Sequence, residues 1–160
     1  MTYLLQARST GRDLWVVPDH PGMPSLGPWR HRSGGLVSEL VADGEVDRLG
    51  FTPRFKRTGR GQRVGDLIWT TGDFAKIASL RFVRVLEEIG ATGFRTFPVD
   101  VVAGDGSPLG EFVGLAVLDG DESHDLRFSN GVQFWEFAAS DRVVEALRER
   151  GVTELSISSA

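Results

Sequence analysis

Apolar residues recur along this chain at two periods, near 3.6 and near 2, and the period changes several times. Between residues 74 and 89, Ile77, Ala78, Phe82, Val85, Leu86 and Ile89 fall at helical spacing, with Lys76, Arg81, Arg84, Glu87 and Glu88 between them. That pattern predicts an amphipathic helix, and Gly90 supplies its stop. A second helix is predicted over 140–150, closed by Gly151. Strand-like segments are 3–7 and 14–17, joined by the turn Ser9-Thr10-Gly11-Arg12-Asp13, then 66–70, the alternating Phe97, Val99 and Val101, and 112–118. Segments 126–128 and 132–137 flank Ser129-Asn130-Gly131, a hairpin signal because Asn-Gly tolerates positive φ. A last strand is predicted over 155–158. Residues 18–35 hold four prolines and four glycines and read as a long surface loop. Residues 35–50 are ambiguous: Leu36, Leu40 and Val41 suit a short helix, and Asp43-Gly44 breaks it.

The two helices resemble each other at a fixed offset. Ser79, Arg81, Val83, Leu86, Glu88, Gly90 and Thr92 match Ser140, Arg142, Val144, Leu147, Glu149, Gly151 and Thr153, seven identities in fourteen gapless positions. Serine suits a helix N-cap, Val and Leu a buried face, and Gly a helix stop. A strand with a late tryptophan precedes each helix, Trp69 in one and Trp135 in the other, but there the spacing is five residues longer. The first helix therefore starts at either Asp73 or Ser79. Either duplication or the shared demands of strand–helix–strand units would produce the match. Both imply a shared sheet with helices packed on it. The expected fold is α+β: a single domain over 1–160, with a mostly antiparallel or mixed sheet and two helices from a repeated helix–Gly–strand unit. Residues 1–65 contribute N-terminal strands and the long loop, and 66–160 the two related units.

Composition narrows the chemistry. There is no cysteine, which excludes disulfides, thiolate metal sites and cysteine nucleophiles. No apolar run approaches the roughly 20 residues that span a bilayer, and residues 1–8 have no signal-peptide pattern, so a cytoplasmic location is expected. The net charge of −4 argues against a dedicated nucleic-acid binder. His20, His31 and His124 are dispersed and lack metal-ligand spacing. The run from Gly59 to Gly65 lacks the phosphate-loop spacing and precedes a strand where it should follow one. Asp119-Gly120-Asp121 opens like a calcium loop, but His124 stands where glycine is required and Asn130 where glutamate is. No catalytic residue, metal site or cofactor is expected.

Three features could bind a partner. The acidic loop carries Asp119, Asp121, Glu122 and Asp125, and would steer a basic protein, unless it is only a soluble turn. Trp29, in the Pro/Gly loop, could be an exposed anchor. The stretch Arg54, Lys56, Arg57, Arg60 and Arg63, interleaved with Phe51 and Phe55, has the composition of a nucleic-acid or phosphate patch. The plainer account of it is a solvated loop pinned to the core by its two phenylalanines.

The first helix runs through Leu86-Glu87-Glu88-Ile89-Gly90-Ala91-Thr92-Gly93-Phe94-Arg95-Thr96-Phe97-Pro98-Val99. It resembles bacterial immunity proteins of the Imm11 type, also described as a myxobacterial domain of unknown function. The shared pattern is Ser-x-Arg-Val-x-x-x-Leu-x-x-x-Gly, a Thr-Gly-Phe/Val step, then an aromatic and a Pro-Val strand. A second such helix often lies near the family's C-terminus, as residues 140–151 do here. The resemblance covers about residues 66–155 and is weaker in the second unit. A related group carries paired Cys-x-x-Cys-Gly motifs, which this chain lacks. The resemblance implies a small cytoplasmic protein that neutralises a toxin encoded beside it by occluding it. It transfers no catalytic residue.

Overall fold

The computed structural model describes residues 2–24, 28–31, 34–71, 76–120, 122–128 and 136–160. The fold is α+β. In chain order its elements are β1 (Thr2–Gln6), β2 (Trp15–Pro18), α1 (Val37–Ala42), a 3-10 turn (Val46–Arg48), β3 (Arg54–Thr58), β4 (Leu67–Thr70), β5 (Lys76–Ser79), α2 (Leu80–Glu88), β6 (Phe94–Pro98), β7 (Asp100–Val102), β8 (Phe112–Val117), β9 (Leu126–Phe128), β10 (Glu136–Ser140), α3 (Asp141–Glu149) and β11 (Ser156–Ser159). They form a four-stranded sheet, β11-β1-β10-β9, and a seven-stranded sheet, β6-β8-β5-β4-β2-β3-β7.

The helix expected over 74–89 is a strand followed by a shorter helix. Ile77 is fully buried in one apolar cluster while Ala78 belongs to another. Adjacent residues facing opposite sides is a strand alternation, which the helical count had absorbed. Ser79 then sets the boundary: its Oγ accepts from Phe82 N–H at 3.2 Å, as an N-cap does. The helix thus starts at the second of the two positions left open. The basic stretch, expected as a loop, contains β3, with Phe55 fully buried and Phe51 partly so. The strand expected through Phe97, Val99 and Val101 divides into β6 and β7 after Pro98. Strand β9 falls as expected, and its described partner, β10, begins at Glu136. The predicted Ser129-Asn130-Gly131 turn and Trp135 lie outside the described residues.

Duplication extends well beyond the helices. In the first unit β4 and β5 pair antiparallel with Leu67 opposite Ala78. In the second, β9 and β10 pair antiparallel with Leu126 opposite Ala139. Ser79 and Ser140 then end the second strand of each hairpin, and a nine-residue helix follows. The third strands, β6 and β11, also correspond. β6 pairs with β8, placing Arg95 opposite Ala116 and Pro98 opposite Val113. β11 pairs with β1, placing Ser156 opposite Gln6 and Ser159 opposite Tyr3. β8 lies against β5 with Ser79 opposite Phe112, and β1 against β10 with Ser140 opposite Thr2. Both units are therefore β-β-α-β plus one central strand, with the same order and register. In the second unit that central strand comes from the start of the chain, so the repeat is circularly permuted. The Trp69–Trp135 match had aligned β4 with residues before β10, the wrong pair of strands, which is why its spacing disagreed.

One apolar cluster joins the units. Leu67, Ala78, Phe82, Val83, Leu86 and Leu115 meet their counterparts Leu126, Ala139, Val143, Val144, Leu147 and Leu5 there, all buried. The second cluster lies on the other face of the seven-stranded sheet, where Val37, Leu40 and Val41 of α1 cover Ile68, Ile77, Phe97 and Phe55. The matching face of the four-stranded sheet carries Arg127 and Ser158 in place of Ile68 and Phe97. No helix among the described residues is long and apolar enough to cross a membrane.

Ala160 N–H donates to Thr2 O at 3.0 Å, so the two ends of this chain lie side by side. Moving residues 1–8 behind Ala160 through a short loop should therefore yield a permutant that folds with the near-ultraviolet circular dichroism of the parent. A permutant that stays disordered would contradict the assignment of β1 to the second unit.

Candidate functional site

Each unit opens on an aspartate immediately before its first strand. Asp66 is 1% exposed and Asp125 8%. Asp66 Oδ1 accepts from Ser79 Oγ at 2.7 Å and from Arg81 Nε at 2.6 Å, while Oδ2 accepts from Arg81 Nη2 at 2.8 Å. Asp125 repeats this with Ser140 Oγ at 2.8 Å, Arg142 Nε at 2.8 Å and Arg142 Nη2 at 2.7 Å. The forked, bidentate geometry is the one arginine favours with a carboxylate.

The remaining donors come from the opposite unit. Asp66 Oδ2 accepts from Glu154 N–H at 3.0 Å, in the segment after α3. Asp125 Oδ2 accepts from Thr92 N–H at 2.9 Å, in the segment after α2. Arg142 also donates to the carbonyls of Ile89 and Gly90, at the C-terminal end of α2, where a cation complements the helix dipole. Gly93 lets the chain pass: its φ is +90°, and a Cβ there would lie 2.2 Å from Leu126 O.

Hydrogen bonds from Arg142 hold the Asp125 carboxyl well below the usual carboxylate range, against the upward push of burial. At Asp66 burial pushes upward most strongly, yet the bonds from Arg81, Ser79 and Glu154 N–H together leave the carboxyl lowered. Asp13 is held at about 2, chiefly by its bond from Arg63.

This corrects one expected partner residue. Asp125 is not an exposed acid of the loop but a buried anchor of the fold. Asp119 and Glu122 are exposed as expected, and Asp121 lies outside the described residues. Trp29 is also corrected: at 4% exposure it belongs to the second apolar cluster, with its Nε1 donating to Pro24 O at 2.7 Å. In the described part of the Pro/Gly loop, Trp29 lies against Phe55 of β3 and its carbonyl accepts from Val37 N–H at the start of α1.

The basic stretch does not form one patch. Strand alternation puts Arg54 and Lys56 on one face of β3 and Arg57 on the face of buried Phe55. Arg54 pairs with Asp19 at 3.1 Å, and Arg63 with Asp13 at 2.7 Å. Arg60 lies in the exposed turn after β3, where its carbonyl accepts from Arg57.

The pairing of Trp15 with Trp69 was not foreseen in the sequence. Trp15 and Trp69 stand opposite each other across the parallel β2–β4 pair, ring centroids 4.9 Å apart and both half-buried. The counterpart of Trp69 in the second unit is Phe128, 38% exposed. Lys76 Nζ sits 5.8 Å from the Phe137 ring, and burial lowers its ammonium to about 8. Asp66 was also missed as an anchor. Its signal was an Asp-Leu pair starting the strand that leads to each Ser-x-Arg, visible only once both units are aligned on their hairpins. Among the described residues there is no cluster of three or more potential metal ligands. No protein-family model matches the chain, and no curated protein matches it.

Replacing Asp66 with Asn removes the acceptor that Arg81 Nη2 and Glu154 N–H share, and should cost about 3 kcal/mol at neutral pH by urea unfolding. Both anchor carboxyls are lowered in the folded state. Their stabilisation is therefore present above the unfolded value of about 3.9 and is lost as pH falls through the folded values. Between about pH 5 and pH 2 the parent should lose stability more steeply than Asp66→Asn. Parallel pH profiles would show that the clasp contributes nothing.

Proposed function

We propose that this chain is a protein-binding module that neutralises a bacterial toxin, acting in the cytoplasm of the cell that makes both. The reading rests on the resemblance to the Imm11-type immunity proteins. What supports it most is the work the shared pattern performs. Ser79, Arg81, Gly90 and Thr92, and the counterparts Ser140, Arg142 and Gly151, lie at the carboxylate clasps and helix ends. A pattern spent on scaffold is what a family sharing a frame and differing in its binding surface would retain. The surface outside that frame offers the exposed Phe128 and the exposed acids Asp119 and Glu122. Such a surface suits a protein partner: the aromatic anchors and the acids steer.

The test is co-expression with the toxin encoded beside this gene. The expected result is restored growth and a stoichiometric complex that survives gel filtration. Unrelieved toxicity at equal expression would remove the proposal.

A further inference from the structure

The two sheets end in four outer strands, β6, β7, β9 and β11, and three of these edges are closed or guarded. Along β7, Leu109 N–H donates to Val101 O at 2.9 Å and Ala103 N–H to Ser107 O at 2.8 Å, so residues 107–109 occupy that edge. At β9, Leu126 N–H donates to Thr92 O at 3.0 Å, and Gly93 runs against Leu126 O. β6 carries Arg95 and Pro98, both exposed, and the 3-10 turn packs beside it. Charge and proline are the usual guards of a sheet edge. The fourth edge is β11, which corresponds to β6 in the second unit. Its residues Ser156, Ile157, Ser158 and Ser159 include no charge and no proline.

The backbone of β11 is free on its outer side. Ala160 N–H donates to Thr2 O, directly opposite it. Bonded and non-bonded positions alternate along an antiparallel pair. Ser158 and Ser156 therefore turn their N–H and C=O groups to Leu4 and Gln6, while Ile157 and Ser159 turn theirs outward. No described residue bonds to those outward groups. The Ile157 side chain lies on the face of Leu5, half-buried at the rim of the cluster that joins the units.

Such an edge is self-complementary. About a twofold axis at Ile157, two copies of β11 pair antiparallel, with Ile157 on Ile157 and Ser156 on Ser158. Outward groups then meet outward groups, each Ile157 N–H facing the other copy's Ile157 carbonyl. The two isoleucines cover each other at the rims of their cores, and the serines pair through their hydroxyls. In a chain of net charge −4, this uncharged strand lets two copies meet without opposing like charges. The same patch serves both copies, as a twofold contact requires.

We infer that β11 pairs with β11 of a second copy of this chain, joining the two four-stranded sheets edge to edge. The strand has four residues, so the contact is small and the dimer forms in a concentration-dependent way. The inference goes beyond the toxin reading and stands whether or not that reading holds.

Sedimentation equilibrium of the full chain tests it. The mean mass should rise from that of one chain toward that of two as concentration increases. Ile157→Lys and Ile157→Glu should each keep the parent's circular dichroism, because Ile157 is only half-buried, and each should stay at the mass of one chain. Mixed in equal amounts, the two variants should recover the dimer, since lysine then lies opposite glutamate. Hydrogen exchange of the parent reads the contact without a substitution. The outward Ile157 amide should exchange about threefold more slowly in concentrated than in dilute solution. A parent that keeps the mass of one chain at every concentration overturns the inference. So does a lysine variant that dimerises like the parent, or an Ile157 amide whose exchange ignores concentration. A variant mixture that stays monomeric overturns the register about Ile157, and the inference with it. A monomeric parent whose Ile157 amide is protected only by the toxin gives the edge to a strand of the toxin and overturns the second copy as its occupant.

Discussion

The structure depends on two buried carboxylates that neither unit can satisfy alone. Asp66 and Asp125 each take a forked arginine and a serine from their own hairpin–helix element and one backbone N–H from the other unit. A buried charge without its partners is costly, whereas a fully bonded one fixes geometry. The constraint therefore acts across the interface. If the units drift apart, each carboxylate loses an N–H donor, and Arg142 also loses the carbonyls of Ile89 and Gly90. The apolar cluster between the units supplies the larger driving force, with Phe82, Leu86, Val143 and Leu147 fully buried. The clasps set the register in which that cluster closes.

With the units locked this way, their differences carry the interest. The first unit is widened by β2, β3 and β7, and its second face is covered by α1 and Trp29. Its apolar face residues, Ile68, Ile77 and Phe97, fit that cover. Among the described residues the second unit has no further strands, and it carries Arg127 and Ser158 where the first has Ile68 and Phe97. Phe128 keeps an aromatic where the first unit keeps one under a neighbouring strand. Duplication thus builds the frame, and the two units differ at their edges.

Much of the frame could be read from the residues. The seven matched positions located both helices, their caps and their stops, since those roles are local and leave a local signature. Burial of Phe55 followed from its place among charged neighbours, although the strand that holds it did not. Residues 74–79 misled because Ile77 and Ala78 fit a helical period as well as a strand whose two faces are both buried. The origin of β1 was not legible at all, because strand order is set by pairings over more than a hundred residues. Nor was the clasp: Asp66 and Asp125 precede their arginines by different intervals, so a gapless alignment of the helices never brings them together. Asp125 looked like one more acid in an acidic loop. Trp29 looked exposed because proline and glycine surround it, yet it packs inward.

The claim at the centre of this account is that each carboxylate serves both units at once. Native-state hydrogen exchange on Asp125→Asn tests it most directly, read at the amides of β5 in the first unit and β10 in the second. The account predicts that both strands lose the same opening free energy, because Asp125 holds α3 of its own unit and Thr92 of the other. Loss confined to β10, with β5 protected as in the parent, would contradict it.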